Sequence, residues 1–231
     1  MSKKRAIISL GTESYMRGRE RLRSSLEINN NFVGSVYLYG FEHEVHAPSH
    51  KENPYAFKVC AFEEIKRHGF EQILWVDCSV WAIKNVMKVF EVMDADGYIC
   101  QEAGHMVGTW TNDRALDYFG VSRDEAMNIM MYGNAGFLGL DFTTEIANEF
   151  FNKWKQSMMD GMFKGEWSNN DKTESQDERC MGHRHDMSCG SIIRHQLGMK
   201  LQSGQDYLQY VTDDNKVPNN DSVCFFAQGL A

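Results

Sequence analysis

The sequence has no apolar run approaching the roughly 20 residues that a bilayer span needs. No secretory leader is expected either, because "MSKKRAIISLG" starts basic but its apolar stretch ends at Gly11, too short for a signal-peptide core. These absences predict a cytoplasmic chain that is neither exported nor anchored. Positive charge is not in excess either: 24 Lys and Arg stand against 32 Asp and Glu, a net charge of −8. A broad duplex-binding surface is therefore not expected. The basic residues cluster instead, as in "RGRERLR" at 17–23, which is either a solvated helix face or a patch for an anionic ligand.

There is no disulfide framework. The six cysteines, at 60, 78, 100, 180, 189 and 224, are scattered and mostly lie in apolar runs, where a thiol behaves as a small hydrophobe. A chain of 231 residues buries roughly 70% of its unfolded surface and needs no such staple. No internal repeat or interdomain linker is visible, so one domain over 1–231 is expected.

What the chain does have is alternation. Apolar runs at 6–10, 35–39, 72–76 and 97–101 are separated by helical patterns over 14–29, 54–68 and 84–94. That rhythm predicts an α/β fold with a mostly parallel central sheet and helices on both faces. Ligands of such sheets lie beyond the carboxyl ends of the strands. The second half is less regular: helical stretches near 112–130, strand and turn in "MMYGNAGFLGLDF", a helix over 143–159 and another starting at Asp186. Between these, the polar segment 161–182 has no apolar period and is expected to be a mobile lid.

Several residues stand out against this background. Asp77 closes the apolar run "QILWV" and so emerges at the ligand edge, to hold a cation or a sugar hydroxyl, unless it only caps a turn. The helix of 54–68 is signalled by Asn53 as N-cap and Pro54 as first residue. Lys58 falls in the middle of its apolar arc of Tyr55, Phe57, Ala61, Phe62 and Ile65. An ammonium there must snorkel, pair with an internal acid or meet a ligand anion. "GNAGFLGLD" at 133–141 suits close backbone approach to a ligand but equally a bulged strand, and is no phosphate loop. In "QEAGH", Glu102 is a base or acceptor-orienting group, or a solvated loop acid. "CMGHRHDMSCGSII" holds His183, His185 and Asp186, the last also a natural helix cap. A zinc site from Cys180, His183, His185 and Cys189 is a rival reading, with a spacing unlike the common frameworks. Trp81, Trp110 and Trp167 are available to stack on a sugar or a base, or to pack in the core.

Taken in order, "NPYAFKVCAFEEI", "ILWVDCS", "NAGFLGL" and "HRHDMS" resemble the motifs of GT-A type glycosyltransferases, enzymes with one Rossmann-like domain that use nucleotide-sugars. The resemblance spans about residues 5 to 200. It implies transfer of a hexosyl or pentosyl group from a nucleoside-diphosphate sugar, UDP-sugars being the usual donors, to a hydroxyl of a glycan, protein or small molecule. A modified nucleic-acid base is a less natural acceptor for a chain of this charge. The resemblance makes Thr12, Tyr15, Arg19, Lys58, Asp77, Ser79, Asn134, Ala135 and Gly136 the donor-binding residues. It makes Asp77, His183 and His185 ligands of Mn²⁺ or Mg²⁺, and Asp186, Glu102 and His185 the catalytic groups. Two departures bear on this: Ser79 stands where the family has a second metal-binding aspartate, and Met187 where glutamine often follows the late aspartate. A hydroxyl is a poorer ligand than a carboxylate for a hard cation. The alternatives are a nucleotide-sugar or glycan-binding module without turnover, and a sugar nucleotidyltransferase, which would carry a glycine- and basic-rich loop after its first strand.

Overall fold

Strand β1 (Arg5–Leu10) is flanked by β2 (Ser35–Tyr39) and β3 (Gln72–Trp75), both parallel to it. In the computed structural model, which describes residues 3–28, 32–133, 136–212 and 217–228, the central sheet continues through β8 (Leu138–Asp141) to β5 (Tyr98–Cys100). Strand β8 is antiparallel to both its neighbours, so four of the five strands point one way and the sheet is mixed only at β8.

The largely apolar character of β1 and β3 follows from burial on both faces. Ala6, Ile8, Leu10, Ile73 and Trp75 pack into one core with helices α2 (Ala56–Arg67), α6 (Glu145–Met159) and α7 (His185–Gln196). Their alternates Ile7, Leu74 and Val76 pack on the opposite side with α1 (Met16–Ile28) and α3 (Met87–Asp96). The same side is closed by a small sheet in the order β4 (Val80–Ala82), β10 (Phe225–Ala227), β9 (Leu208–Tyr210). Segments of three residues carry no periodic signal, and β4, β9 and β10 were accordingly not expected.

The helical pattern near 112–130 resolves into two short helices, α4 (Asp113–Phe119) and α5 (Arg123–Ala126), which lie between the antiparallel strands β6 (Glu102–Met106) and β7 (Met130–Tyr132). Each has its own stop and start: Asn112 caps α4 by accepting from the Ala115 N–H, and Ser122 with Glu125 forms a capping box on α5.

Two expected helix starts are corrected. Asn53 does not cap α2; its side-chain amide donates to the Met158 carbonyl at 3.2 Å, and the helix begins behind Tyr55, whose φ is +59°. Asp186 does not cap α7 either, but lies in its first turn behind Arg184, which leaves its carboxylate free to face inward. The six cysteines are free thiols. Among the described residues no helix is long and apolar enough to cross a membrane.

The polar segment 161–182, expected to be a mobile lid, is organised around one buried side chain. The Asn169 amide donates to the carbonyls of Ser175 and Cys180, and its oxygen accepts from the N–H groups of Glu174 and Ser175. The segment is tied to the body by Met181 N–H to the Thr109 carbonyl and by Ser175 Oγ to Asp113. Hydrogen bonds replace the apolar period that the sequence lacks.

Candidate active site

Two cavities open beyond the carboxyl ends of β1 and β3, and Asp77 and Tyr55 line both. The larger, about 660 Å³, is bounded by Leu10, Gly11, Thr12 and Tyr15 from the end of β1, by Glu42 and His50, and by Ser79. The smaller, about 470 Å³, is bounded by Lys58, Gly136, Asp186 and Arg184, with Trp167 and Tyr210 toward its mouth. Asp77 thus stands at the junction, as its position after an apolar strand requires.

Lys58 ties the junction together. Its ammonium is buried, 3.3 Å from Asp186 Oδ2 and 3.5 Å from Asp77 Oδ1, and it lies 5.0 Å from the centre of the Tyr55 ring. Burial alone would lower its pKa, but the two carboxylates outweigh that and raise it above the ordinary lysine value, so the ammonium stays charged. Asp186 is buried as well. Desolvation raises its pKa, Asp77 adds to the rise and Lys58 opposes it. The lysine in the apolar arc is therefore held by two internal acids, both of which line the smaller cavity.

Asp77 is fixed from behind. Trp75 Nε1–H donates to its Oδ1 at 2.9 Å, and Gly136, at φ +68°, packs so close that a Cβ there would collide with the same oxygen. Only glycine satisfies both the left-handed backbone and that approach. Asn134 and Ala135, expected beside it in the donor turn, lie outside the described residues.

The remaining expected site residues divide. Thr12, Tyr15 and Ser79 line the larger cavity. Arg19 does not; it turns back, with Nη1 donating to the Gly11 carbonyl at 3.3 Å. Glu102 also lines neither cavity, whereas Ala103 and His105 from the same strand line the smaller one. Side chains of a strand alternate, so if 103 and 105 face the cleft, 102 faces away. His105 is the residue that the sequence reading missed, and alternation along "QEAGH" was the signal that would have found it.

The histidine pair differs most from expectation. His183 is fully buried; its Nδ1 accepts from the Asn112 N–H at 3.3 Å and its Nε2 faces the Met162 carbonyl at 3.0 Å, so both nitrogens are engaged by backbone. Desolvation lowers its pKa to about 3. His185, at φ +52°, donates through Nδ1 to the Phe163 carbonyl at 2.9 Å. Its Nε2 is buried without a hydrogen-bond partner, between the rings of Tyr55 and Trp167 at 5.4 and 5.3 Å. Burial lowers its pKa to about 4. Both are neutral packing groups in this arrangement, and neither lines a cavity. The rival zinc set does not converge: Cys180 Sγ faces the carbonyls of Thr111 and Gly182, and Cys189 Sγ that of Met162.

A divalent cation held by protein alone does not fit these residues. Asp77 Oδ1 already serves Trp75 and Lys58, Ser79 offers only a hydroxyl, and the described residues contain no group of three His, Cys, Asp or Glu placed to hold a metal. Trp81 is also away from the cleft, stacked between Arg21 and Phe226.

No family model matches the sequence, and no curated protein matches it. Solved structures do. Mouse xyloside xylosyltransferase 1, in its apo form, aligns over 98% of this chain and 97% of its own, with 11% identity and a TM-score of 0.49. The bifunctional glycosyltransferase WbbM, also apo, aligns over 98% of this chain with 11% identity and a TM-score of 0.54, and this chain spans 45% of its length. A central sheet with one reversed strand, and a cleft at the carboxyl ends of β1 and β3, accompany that likeness: the fold is a GT-A-type glycosyltransferase fold.

Proposed function

We propose that the protein is a glycosyltransferase that moves a hexosyl or pentosyl group from a nucleoside-diphosphate sugar to an acceptor hydroxyl. The observation that carries this reading is the pair of cavities sharing Asp77, with buried Lys58 linking Asp77 to Asp186. Reactions of this kind need a nucleotide on one side of a diphosphate and a sugar on the other. The larger cavity, with Thr12, Tyr15 and Ser79, would take the nucleotide, UDP in the first instance. Asp77 would lie where the diphosphate crosses, and the Gly136 turn and Asp186 would flank the transferred sugar.

The rigid ion pair contributes by preorganisation. Asp186 is held at a fixed place by Lys58, and would face the position where positive charge develops at the anomeric carbon. Tyr55, backed by the neutral His185, covers one wall of both cavities. On the acceptor side, His105 is the lining residue outside that ion-paired cluster able to accept a proton from the attacking hydroxyl. Mn²⁺ or Mg²⁺ would enter only as part of a nucleotide complex, since these side chains do not build a site for it alone.

The test is thermal unfolding against UDP-, GDP-, CMP- and dTDP-sugars, each with Mn²⁺, with Mg²⁺ and with EDTA, followed by sugar-nucleotide turnover. Saturation at a hundred times Kd stabilises by about 2.7 kcal/mol. A shift with one nucleotide together with turnover supports a transferase. A shift with no release of nucleoside diphosphate under any acceptor or water condition identifies a binding module instead.

A further inference from the structure

The guanidinium carbon of Arg184 lies over two indoles, 3.8 Å from the centre of the Trp110 ring and 4.0 Å from that of Trp167. The two rings hold it by cation–π contact, and the side chain lines the smaller cavity. Among the described residues no carboxylate pairs with it and no side-chain hydrogen bond engages it, although Asp186 is two residues away and is committed to Lys58. Burial lowers its pKa, with only Tyr55 opposing. A half-buried, stacked cation without a counter-ion is costly unless something that binds there supplies the charge. A planar fork held by stacking is preorganised for two-pronged recognition of a phosphate or carboxylate.

Its place decides which substrate brings that anion. Arg184 lines the smaller cavity and not the larger one, where the nucleotide would lie, and its neighbours Trp167 and Tyr210 are about half exposed at the mouth. Exposed aromatic faces beside a polar site suit sugar rings. We infer that the acceptor is an anionic saccharide, bearing a phosphate or a carboxylate, whose charged group is gripped by Arg184 between Trp110 and Trp167 while its ring stacks on Trp167 and Tyr210. This inference rests on the transferase reading and deepens it.

The experiment measures binding of four probes to the full chain by ligand-observed NMR titration: UDP, glucose 6-phosphate, p-nitrophenyl β-glucuronide and the neutral p-nitrophenyl β-glucoside. Wild-type protein should bind the phosphate or the uronate at least about tenfold more tightly than the neutral glycoside, a preference of the size of one charge-assisted contact pair. The stronger of the two names the anion. Arg184→Gln should abolish that preference and leave the affinity for UDP within about twofold. Arg184→Lys, which keeps the charge and loses the fork, should retain part of it, and the unfolding midpoint of each variant reports whether the stack still folds. An equal preference in wild type and Arg184→Gln, or none in wild type, overturns the proposal. A loss of UDP affinity as large as that of the anionic probes also overturns it, by assigning Arg184 to the donor diphosphate. Failure of wild type to bind any nucleotide sinks the transferase reading separately, because the preference for anionic over neutral sugar is read without nucleotide.

Discussion

Replacing Lys58 with methionine removes one charge from a pair whose members are both about 5% exposed at the side chain. Methionine fills nearly the same volume, so packing changes little and the cost is electrostatic. Asp186 is left as a buried carboxylate without its cation, which typically costs about 3–5 kcal/mol. Asp77, at 38% side-chain exposure, can rely on water and adds little. For a chain of this size each kcal/mol moves Tm by about 2–4 °C, so a fall of about 6–20 °C is expected. The cost should depend on pH. Burial already raises the Asp186 pKa and Lys58 holds it down, so K58M lets it rise further. A carboxyl whose folded pKa lies above its unfolded one is stabilised by protonation, so the deficit should be largest at pH 7.5 and shrink as pH falls through the raised value. The double variant K58M/D186N leaves no buried charge and should be more stable than K58M. Urea unfolding of the two single variants and the double at pH 7.5 and 5 gives the cycle. A K58M cost below about 1 kcal/mol, or single costs that simply add, would refute the coupled buried pair.

Other perturbations follow from the same geometry. Gly136→Ala puts a methyl group against Asp77 Oδ1 and a side chain at φ +68°, and should cost about 1–3 kcal/mol in urea unfolding together with most of the sugar-nucleotide turnover. Ser79→Asp supplies the second carboxylate beside Asp77 and should create Mn²⁺ affinity in the absence of nucleotide, read by electron paramagnetic resonance of free Mn²⁺; no gain would count against Ser79 facing the junction. His183 and His185 have folded pKa values near 3 and 4, below the ordinary 6.5. The unfolded state therefore binds more protons than the folded one below pH 6.5, and stability should fall between there and about pH 4, with a shallower slope in His183→Gln.

The first half of the fold was legible because its signals are redundant. A strand covered on both faces must be apolar along its buried length, and 73–76 is; a helix with one buried face must repeat near 3.6, and 54–68 does. Where the signal was thin the reading slipped. Strand β8 reads as part of a strand-and-turn stretch because the Gly136 turn precedes it and Gly139 interrupts it, and β9 and β10 are three residues each, placed by pairing with one another and with β4. Asn53 has the right chemistry for a cap and the wrong geometry, since its amide is spent on tying the start of α2 to the end of α6. Local propensity cannot anticipate a partner about a hundred residues away.

The candidate site follows the same rule with charge in place of apolarity. Lys58 was legible because a lysine inside an apolar arc is a conflict that only an acid or a ligand resolves, and Asp77 because its carboxylate directly follows four consecutive apolar residues. His183 and His185 misled because spacing puts two imidazoles together without saying whether backbone carbonyls reach them first; here Met162 and Phe163, from the start of the long polar segment, do. Arg184 between them was read only as one more positive charge of the His-Arg-His cluster, for the converse reason. Nothing local marks it, and its meaning comes from Trp110 and Trp167, which separate segments bring against it. A charge that conflicts with its own helix shows in the sequence, whereas a charge made unusual by distant neighbours shows only in the fold. On that reasoning the junction of Lys58, Asp77 and Asp186 belongs to the part of the site set by the scaffold. The Arg184 stack, which needs the polar segment laid down by Asn169 to deliver Trp167, belongs to the part that sets acceptor choice.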